Sequence, residues 1–228
     1  MILQGTLVNI AAVAAGALLG RALGHRLSAP LRQTMMTGLG LAVLLIGLQL
    51  ALQSRQAMVV IASLILGGLV GELCGIEKRL EAFGQGLQQR FSGAGPIAEG
   101  FVTASLLYCV GAMAIMGSIQ DGLGETPTIL YAKSALDGVA AIALTTTLGI
   151  GVLFSVGPLL LYQGTLTLLA GAAQRMLTEP VITEMNAVGG LLIVAIAFDL
   201  LGLKRFPVGN LLPAIFLAVA LMWGCGLA

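Results

Sequence analysis

The chain of 228 residues is 58% hydrophobic and only 9% charged. Soluble domains carry roughly 25% charged residues, so most of this surface must be solvated by lipid. A net charge of +1 leaves no basic field for nucleic acid and no acidic tail.

A bilayer core about 30 Å thick takes about 20 mainly apolar helical residues. In chain order, residues 2–20, 35–52, 57–75, 98–119, 128–154, 158–174, 182–203 and 208–225 meet that requirement. They predict an all-helical, polytopic bundle of eight spans in a single membrane domain. The first run lacks a preceding basic region and is followed by Arg21, His25 and Arg26, so it is read as a retained span rather than a signal peptide. The fifth is too long to stand perpendicular to the membrane. A tilt, or a break near Gly138 or Gly149, accommodates it, and this is the place from which a count of seven or nine would arise.

The basic residues Arg21, Arg26, Arg32, Lys78, Arg79, Arg90, Lys204 and Arg205 fall in odd-numbered connections, and only Arg55 and Arg175 in even-numbered ones. Cytoplasmic loops retain Lys and Arg, which places the odd connections in the cytoplasm and both termini outside. In the third connection, "IEKRLEAFGQGLQQRF" brings Ile76, Leu80, Phe83, Leu87 and Phe91 near one helical face. Residues 76–95 are read as an amphipathic helix along the cytoplasmic membrane surface or, alternatively, as a solvated connector.

Two stretches recur. "QGTL" stands at Gln4–Leu7 and again at Gln163–Leu166, and "MMTGLGLAVLLIGLQL" (Met35–Leu50) aligns with "MNAVGGLLIVAIAFDL" (Met185–Leu200). Spans one to three (residues 1–75) then repeat as spans six to eight (157–228) around a central hairpin at 96–156. Five spans separate the two starts, so the copies run in opposite directions, which is a basis for alternating access.

The most polar stretch of the hairpin is "GSIQDGLGETPTILYAKSALDG", Gly117–Gly138. Its Gly and Pro residues predict a turn that holds Asp121 and Glu125 within reach of water. Lys133 and Asp137 enter the apolar part of span five, where an unpaired charge costs roughly 2.5–3.5 kcal/mol. Their i, i+4 spacing puts them on one helical face, where they can pair. One reading is a structural ion pair; the other is a site in which Asp137, with Asp121, binds a cation or proton while Lys133 serves as a movable counter-charge. Gln120, Ser118 and Asn210 are secondary candidates, Ser118 and Gln120 because glycines bracket them, and Asn210 because it stands between Pro207 and Pro213. Thr145–Thr147 either bond back to helix carbonyls or face a wet cavity. Asn9 reads as helix-to-helix glue, and Glu72 as reaching the interface near Lys78 or Arg79.

Enzyme chemistry and a cofactor are not expected, because the single histidine, His25, sits in a basic connection away from any nucleophile or metal set. Cys74, Cys109 and Cys225 share no close spacing and are read as small buried hydrophobes, so neither a disulfide framework nor a metal is expected.

"GTLVN", "GSIQDGL", "KSALDG" followed by "TTTLGIGVLFS", "YQG" and "GGLLIVAIAFDLLGLKRFPVGNLLPA" together resemble the bacterial inner-membrane family of YqgA-like and YdfK-like proteins, nearly end to end. The resemblance implies a bacterial plasma-membrane location, and supplies no substrate or catalytic residue. The buried charges and the inverted repeat, rather than the resemblance, give the expectation of a secondary transporter or channel for a small polar or charged solute, and the small size of the bundle that of a homodimer. The alternative is a non-transporting scaffold or regulator held together by its ion pair.

Overall fold

Backbone N–H and C=O groups have no water to bond in hydrocarbon, which restricts membrane-crossing segments to helices or closed barrels. In the computed structural model, which describes residues 2–24, 28–79, 82, 97–109 and 111–227, the described chain is helical and contains no strand. In order the helices are α1 (Gln4–Gly24), α2 (Ala29–Ala51), α3 (Ala57–Cys74), α4 (Ile97–Cys109), α5 (Ala112–Gly122), α6 (Thr128–Leu148), α7 (Val156–Leu168), α8 (Ala170–Met176), α9 (Glu179–Leu200), α10 (Val208–Leu211) and α11 (Pro213–Gly224), with a 3-10 turn at Gly149–Ser155 between α6 and α7. Among the described residues, five helical stretches are long and apolar enough to cross a membrane, the run Thr128–Leu168 counting as one of 41 residues; the bent pair α4 and α5 makes six, and Val208–Gly224 is a shorter apolar helix. Most of the amphipathic segment expected at 76–95 lies outside the described residues.

The chain forms two compact units, Met1–Leu39 with Ala82–Gln174, and Gly40–Glu81 with Arg175–Ala228. In the first, α1 and α6 pack along their whole length, and the contact is made by missing side chains. Gly5 rests on Pro127 and Leu130, Gly16 on the Gly138 carbonyl, Gly20 on Ile142 and Gly24 on Thr146. Partners advance in the same order on both helices, so α1 and α6 run parallel. The spacing Gly16, Gly20, Gly24 is a small-residue stripe of the kind that lets membrane helices approach closely.

The 3-10 turn then reverses the chain. It begins at Gly149, whose φ of 75° lies in the left-handed region open to glycine. The expected break near Gly149 is present. From there α7 runs back against α1, with Gln163 meeting Asn9 and Thr167 meeting Thr6. The bent pair runs alongside α7 in the same direction: Ile97 lies beside Gly151 at one end, and Gly122 beside Thr167 and Ala170 at the other. The bend is 63°, and Gly111, with φ 130°, stands in the break.

In the second unit, α2 and α9 cross where a Cβ on Gly47 would fall 2.8 Å from the Gly190 carbonyl oxygen, and one on Gly190 2.6 Å from the Gly47 carbonyl oxygen. Gly40 sits against Leu200 and Leu201, which makes the pair antiparallel. Helix α3 opposes α10 and α11 in the same manner, Gly67 against Ala214 and Gly71 against Asn210. Val59, Val181 and Met222 close the far end of this unit with Leu177, Val219 and Leu221.

Two of the three cysteines depart from the buried placement that their apolar surroundings predicted. Cys74 and Cys225 are exposed at helix ends and Cys109 is half-buried; all three are free thiols. An apolar run extends past the last residue that its helix buries, so hydropathy places a residue within a span and not on its inner face.

Candidate functional site

The last turn of α5 presents two adjacent acceptors to two helix beginnings. An α-helix leaves its first N–H groups without internal partners, and a carboxylate or amide oxygen there satisfies them and suits the positive end of the helix dipole. Asp121 Oδ2 accepts from the Gly5 and Thr6 amides of α1 at 3.0 and 3.4 Å. Gln120 Oε1 accepts from the Ile129 amide at 3.3 Å and from Thr128 Oγ1 at 3.5 Å, at the start of α6. Asp121 is therefore not the water-exposed loop residue that its Gly-rich context predicted; it ends a helix and is 1% exposed. Glu125, four residues on, is exposed as expected.

Further into the first unit lies a buried polar network. Lys133 Nζ and Asp137 Oδ2 form an ion pair along one face of α6, the i, i+4 contact that the sequence predicted. The same Asp137 oxygen accepts from Asn9 Nδ2 on α1 at 3.0 Å, and Asn9 Nδ2 also reaches Gln163 Oε1 on α7 at 3.4 Å. The Thr6 and Thr167 hydroxyls meet at 3.5 Å. From α4, the Tyr108 ring stands 5.9 Å from Lys133 Nζ, within range of a cation–π contact. Lys133 and Asp137 are 5% and 8% exposed, and Asn9, Tyr108 and Gln163 are wholly buried.

Buried polar groups ordinarily find partners. Several here do not: Asn9 Oδ1, Gln163 Nε2, Tyr108 OH, Ser118 Oγ, Asp121 Oδ1 and Thr145 Oγ1 are buried without a hydrogen-bond partner. Of the threonine run, Thr146 and Thr147 bond back to the Ala143 carbonyl, and Thr147 also to that of Leu144.

Five of the six sequence candidates, Ser118, Gln120, Asp121, Lys133 and Asp137, thus fall in the first unit. Lys133 and Asp137 touch, Gln120 and Asp121 hold the ends of the helices that carry the network, and Ser118 is buried with its hydroxyl unpartnered. Asn210 belongs to the second unit. There it donates to Glu72 at 2.5 Å and accepts from the Glu77 amide at 2.8 Å, while Glu77 accepts from the Gly209 amide at 2.6 Å. Glu72 therefore meets an amide of α10 rather than the basic residues beside it in sequence.

Sequence reasoning assigned Asn9 a packing role, named Gln163 without assigning it one, and passed over Tyr108 and Glu184. The repeated "QGTL" was the available signal for Gln163. Glu184, 1% exposed inside α9, accepts from Ser54 Oγ at 2.6 Å and from the Arg55 and Gln56 amides at 2.7 and 3.0 Å, just ahead of α3. Its partners lie about 130 positions away, so no local pattern announces it.

Several apolar helices enclosing a buried charged network define a multi-pass integral membrane protein. Residues 4–223 match the family described as protein of unknown function (DUF554), and the chain belongs to that family. It is similar to the uncharacterized protein YqgA of Escherichia coli (strain K12), 35% identical over 95% of each chain, and to the uncharacterized membrane protein YdfK of Bacillus subtilis (strain 168), 30% identical over 93% of each. No solved structure matches.

Proposed function

We propose that the protein carries or conducts a small polar or charged solute across the bacterial inner membrane, by alternating access between two inverted repeats. One observation carries the reading: Lys133 and Asp137 are buried with Asn9 and Gln163 where the oppositely running α1 and α7 meet. Ionisable groups at such depth mark solute or proton paths, and transporter sites lie at the meeting of inverted repeats. Asp137 and Asp121 are the proposed cation or proton acceptors and Lys133 the movable counter-charge. Ser118, Gln120 and Asn210 are auxiliary.

The repeat draws support from the helix pairs it relates. Helix α1 opposes α7, α2 opposes α9, and α3 opposes α10 and α11, each in direct contact, as copies related by a half-turn about an in-membrane axis would be. The run Thr128–Leu168 counts as two of eight spans in this reading, since α6 follows α1 and α7 opposes it. With the basic residues retained in the cytoplasm, both termini are outside.

Spans four to eight then separate Cys74 from Cys225, placing the two exposed thiols on opposite faces. In single-cysteine variants within spheroplasts, an impermeant maleimide is expected to label Cys225 directly and Cys74 only after permeabilisation. Equal labelling of both in intact spheroplasts would remove the eight-span count. A homodimer completes the proposal, because so small a bundle shields more of itself from lipid by pairing; the mass of the solubilised particle tests it.

The transport reading is tested with purified protein, by solute-induced thermal stabilisation and by flux in liposomes, before and after replacing both Lys133 and Asp137 by leucine. The expected result is a folded double variant without stabilisation or flux. A second reading, a non-transporting scaffold or regulator, is favoured by the mutual satisfaction of Lys133 and Asp137. It requires that no ion or metabolite stabilise or cross with the unaltered protein, and that the double variant keep its fold and pairing.

A further inference from the structure

The buried network of the first unit is incomplete in a specific way. Asn9 has to turn Nδ2 toward Asp137, because an ionised carboxylate only accepts, and Gln163 meets that same nitrogen with Oε1. Those bonds fix the orientation of both amides. What remains is one unpartnered acceptor, Asn9 Oδ1, and one unpartnered donor, Gln163 Nε2, on side chains that are wholly buried. Asn9 touches an ion pair whose two charges cancel, and Gln163 touches Asn9.

A solute of matching chemistry follows from charge balance. The remaining members of the network, Tyr108, Thr6 and Thr167, are neutral, and the nearby Asp121 carboxylate is already met by the Gly5 and Thr6 amides at the positive end of α1. A bare cation or anion entering would leave a net charge in a poorly solvated place, and would use only one of the two free amide atoms. A solute carrying both charges keeps the total at zero and engages both.

We propose that the Lys133–Asp137 pair opens to admit a small, net-neutral zwitterion of the α-amino-acid type. This deepens the transport reading and rests on it. The solute's carboxylate takes the Lys133 ammonium and Gln163 Nε2. Its ammonium takes the Asp137 carboxylate and Asn9 Oδ1, beside the Tyr108 ring, which already stands 5.9 Å from a cation. No bond is made or broken; Lys133 swings away on its flexible stem and returns when the solute leaves. The i, i+4 pair thus acts as the resting occupant of the site, holding it neutral and closed.

The test is a melting-temperature panel on the intact protein with glycine, alanine and serine, set against acetate, methylamine, sodium and potassium at matched ionic strength. The expected result is a concentration-dependent rise with at least one amino acid and none with the half-molecules or the alkali ions. In Asn9→Leu and in Gln163→Met, the concentration needed for half the rise is expected to increase by about tenfold or more, the loss of one charge-assisted hydrogen bond. Should either variant fail to fold, the panel on the unaltered protein still decides. A rise with methylamine or an alkali ion alone, or with acetate alone, overturns the zwitterion and leaves transport of a charged solute standing. Amino-acid stabilisation unchanged in both variants places the ligand elsewhere and overturns the assignment to this network. No rise with any compound, together with no flux in liposomes, overturns both readings.

Discussion

Replacing Asp137 alone by leucine is expected to destabilise the protein by about 3–5 kcal/mol, the usual consequence of stranding one member of a buried ion pair. Lys133 is 5% exposed, and the face of Tyr108 beside it is a weaker partner than the lost carboxylate. Asn9 loses the nearer of its two acceptors in the same stroke. Replacing Lys133 and Asp137 together removes both charges, and the double variant is expected to recover most of the loss, since an apolar pair of similar volume often serves as well as a buried salt bridge. The measurement is reversible unfolding in mixed micelles for the two single variants and the double, read as a thermodynamic cycle. A single variant as stable as the parent would mean that Lys133 reaches water, and the pair would lose its claim to be a closed resting state.

The seam between α1 and α6 offers the second large effect. A leucine in place of Gly16 or Gly20 has to displace backbone, because a Cβ at Gly20 would fall 2.5 Å from the Ile142 carbonyl oxygen and 2.9 Å from Thr145, and one at Gly16 would run into the Gly138 carbonyl. Overpacking against backbone rather than a flexible side chain is expected to reach the upper end of the usual range of about 1–3 kcal/mol, or more. Gly38→Leu is the control: nothing lies within 4 Å of a Cβ there, and its effect is expected to stay within about 0.5 kcal/mol. Folded yield in membranes and melting temperature report the difference. Equal behaviour of the three variants would mean that α1 and α6 do not pack on the glycine stripe. Because Asn9 and Asp137 meet across this seam, Gly16→Leu is also expected to weaken whatever the network binds.

Helices and the ion pair were readable from sequence because both are local properties. Oil selects apolar runs of a certain length, and two residues four apart on a helix face are neighbours whatever the rest of the chain does. The hairpin break was readable as a choice between Gly138 and Gly149, and the two resolve by packing: Gly138 lies against α1, while Gly149 takes the left-handed turn.

What escaped depends on distant partners. The context of Asp121 predicted a solvated turn, since nothing in "GSIQDGLGETP" says that the amides of Gly5 and Thr6 wait for it more than a hundred positions away. Glu184 and Tyr108 were passed over for the same reason, and Asn9 seemed a lone amide because its two partners sit on two other helices. The glycines of "GALLGRALG" are visible as a stripe, but only the partner helix turns a stripe into a seam.

Gln120 and Asp121 are consecutive residues, yet they grip different helices. They act as a yoke: any shift of α5 pulls the beginnings of α1 and α6 in the same direction, and with them Asn9, Lys133 and Asp137. Gln163 rides on α7, which α5 meets through the close packing of Gly122 on Thr167 rather than through a side-chain hydrogen bond. Were α7 to slide past a trio that travels together, the first casualty would be the long amide contact between Asn9 and Gln163.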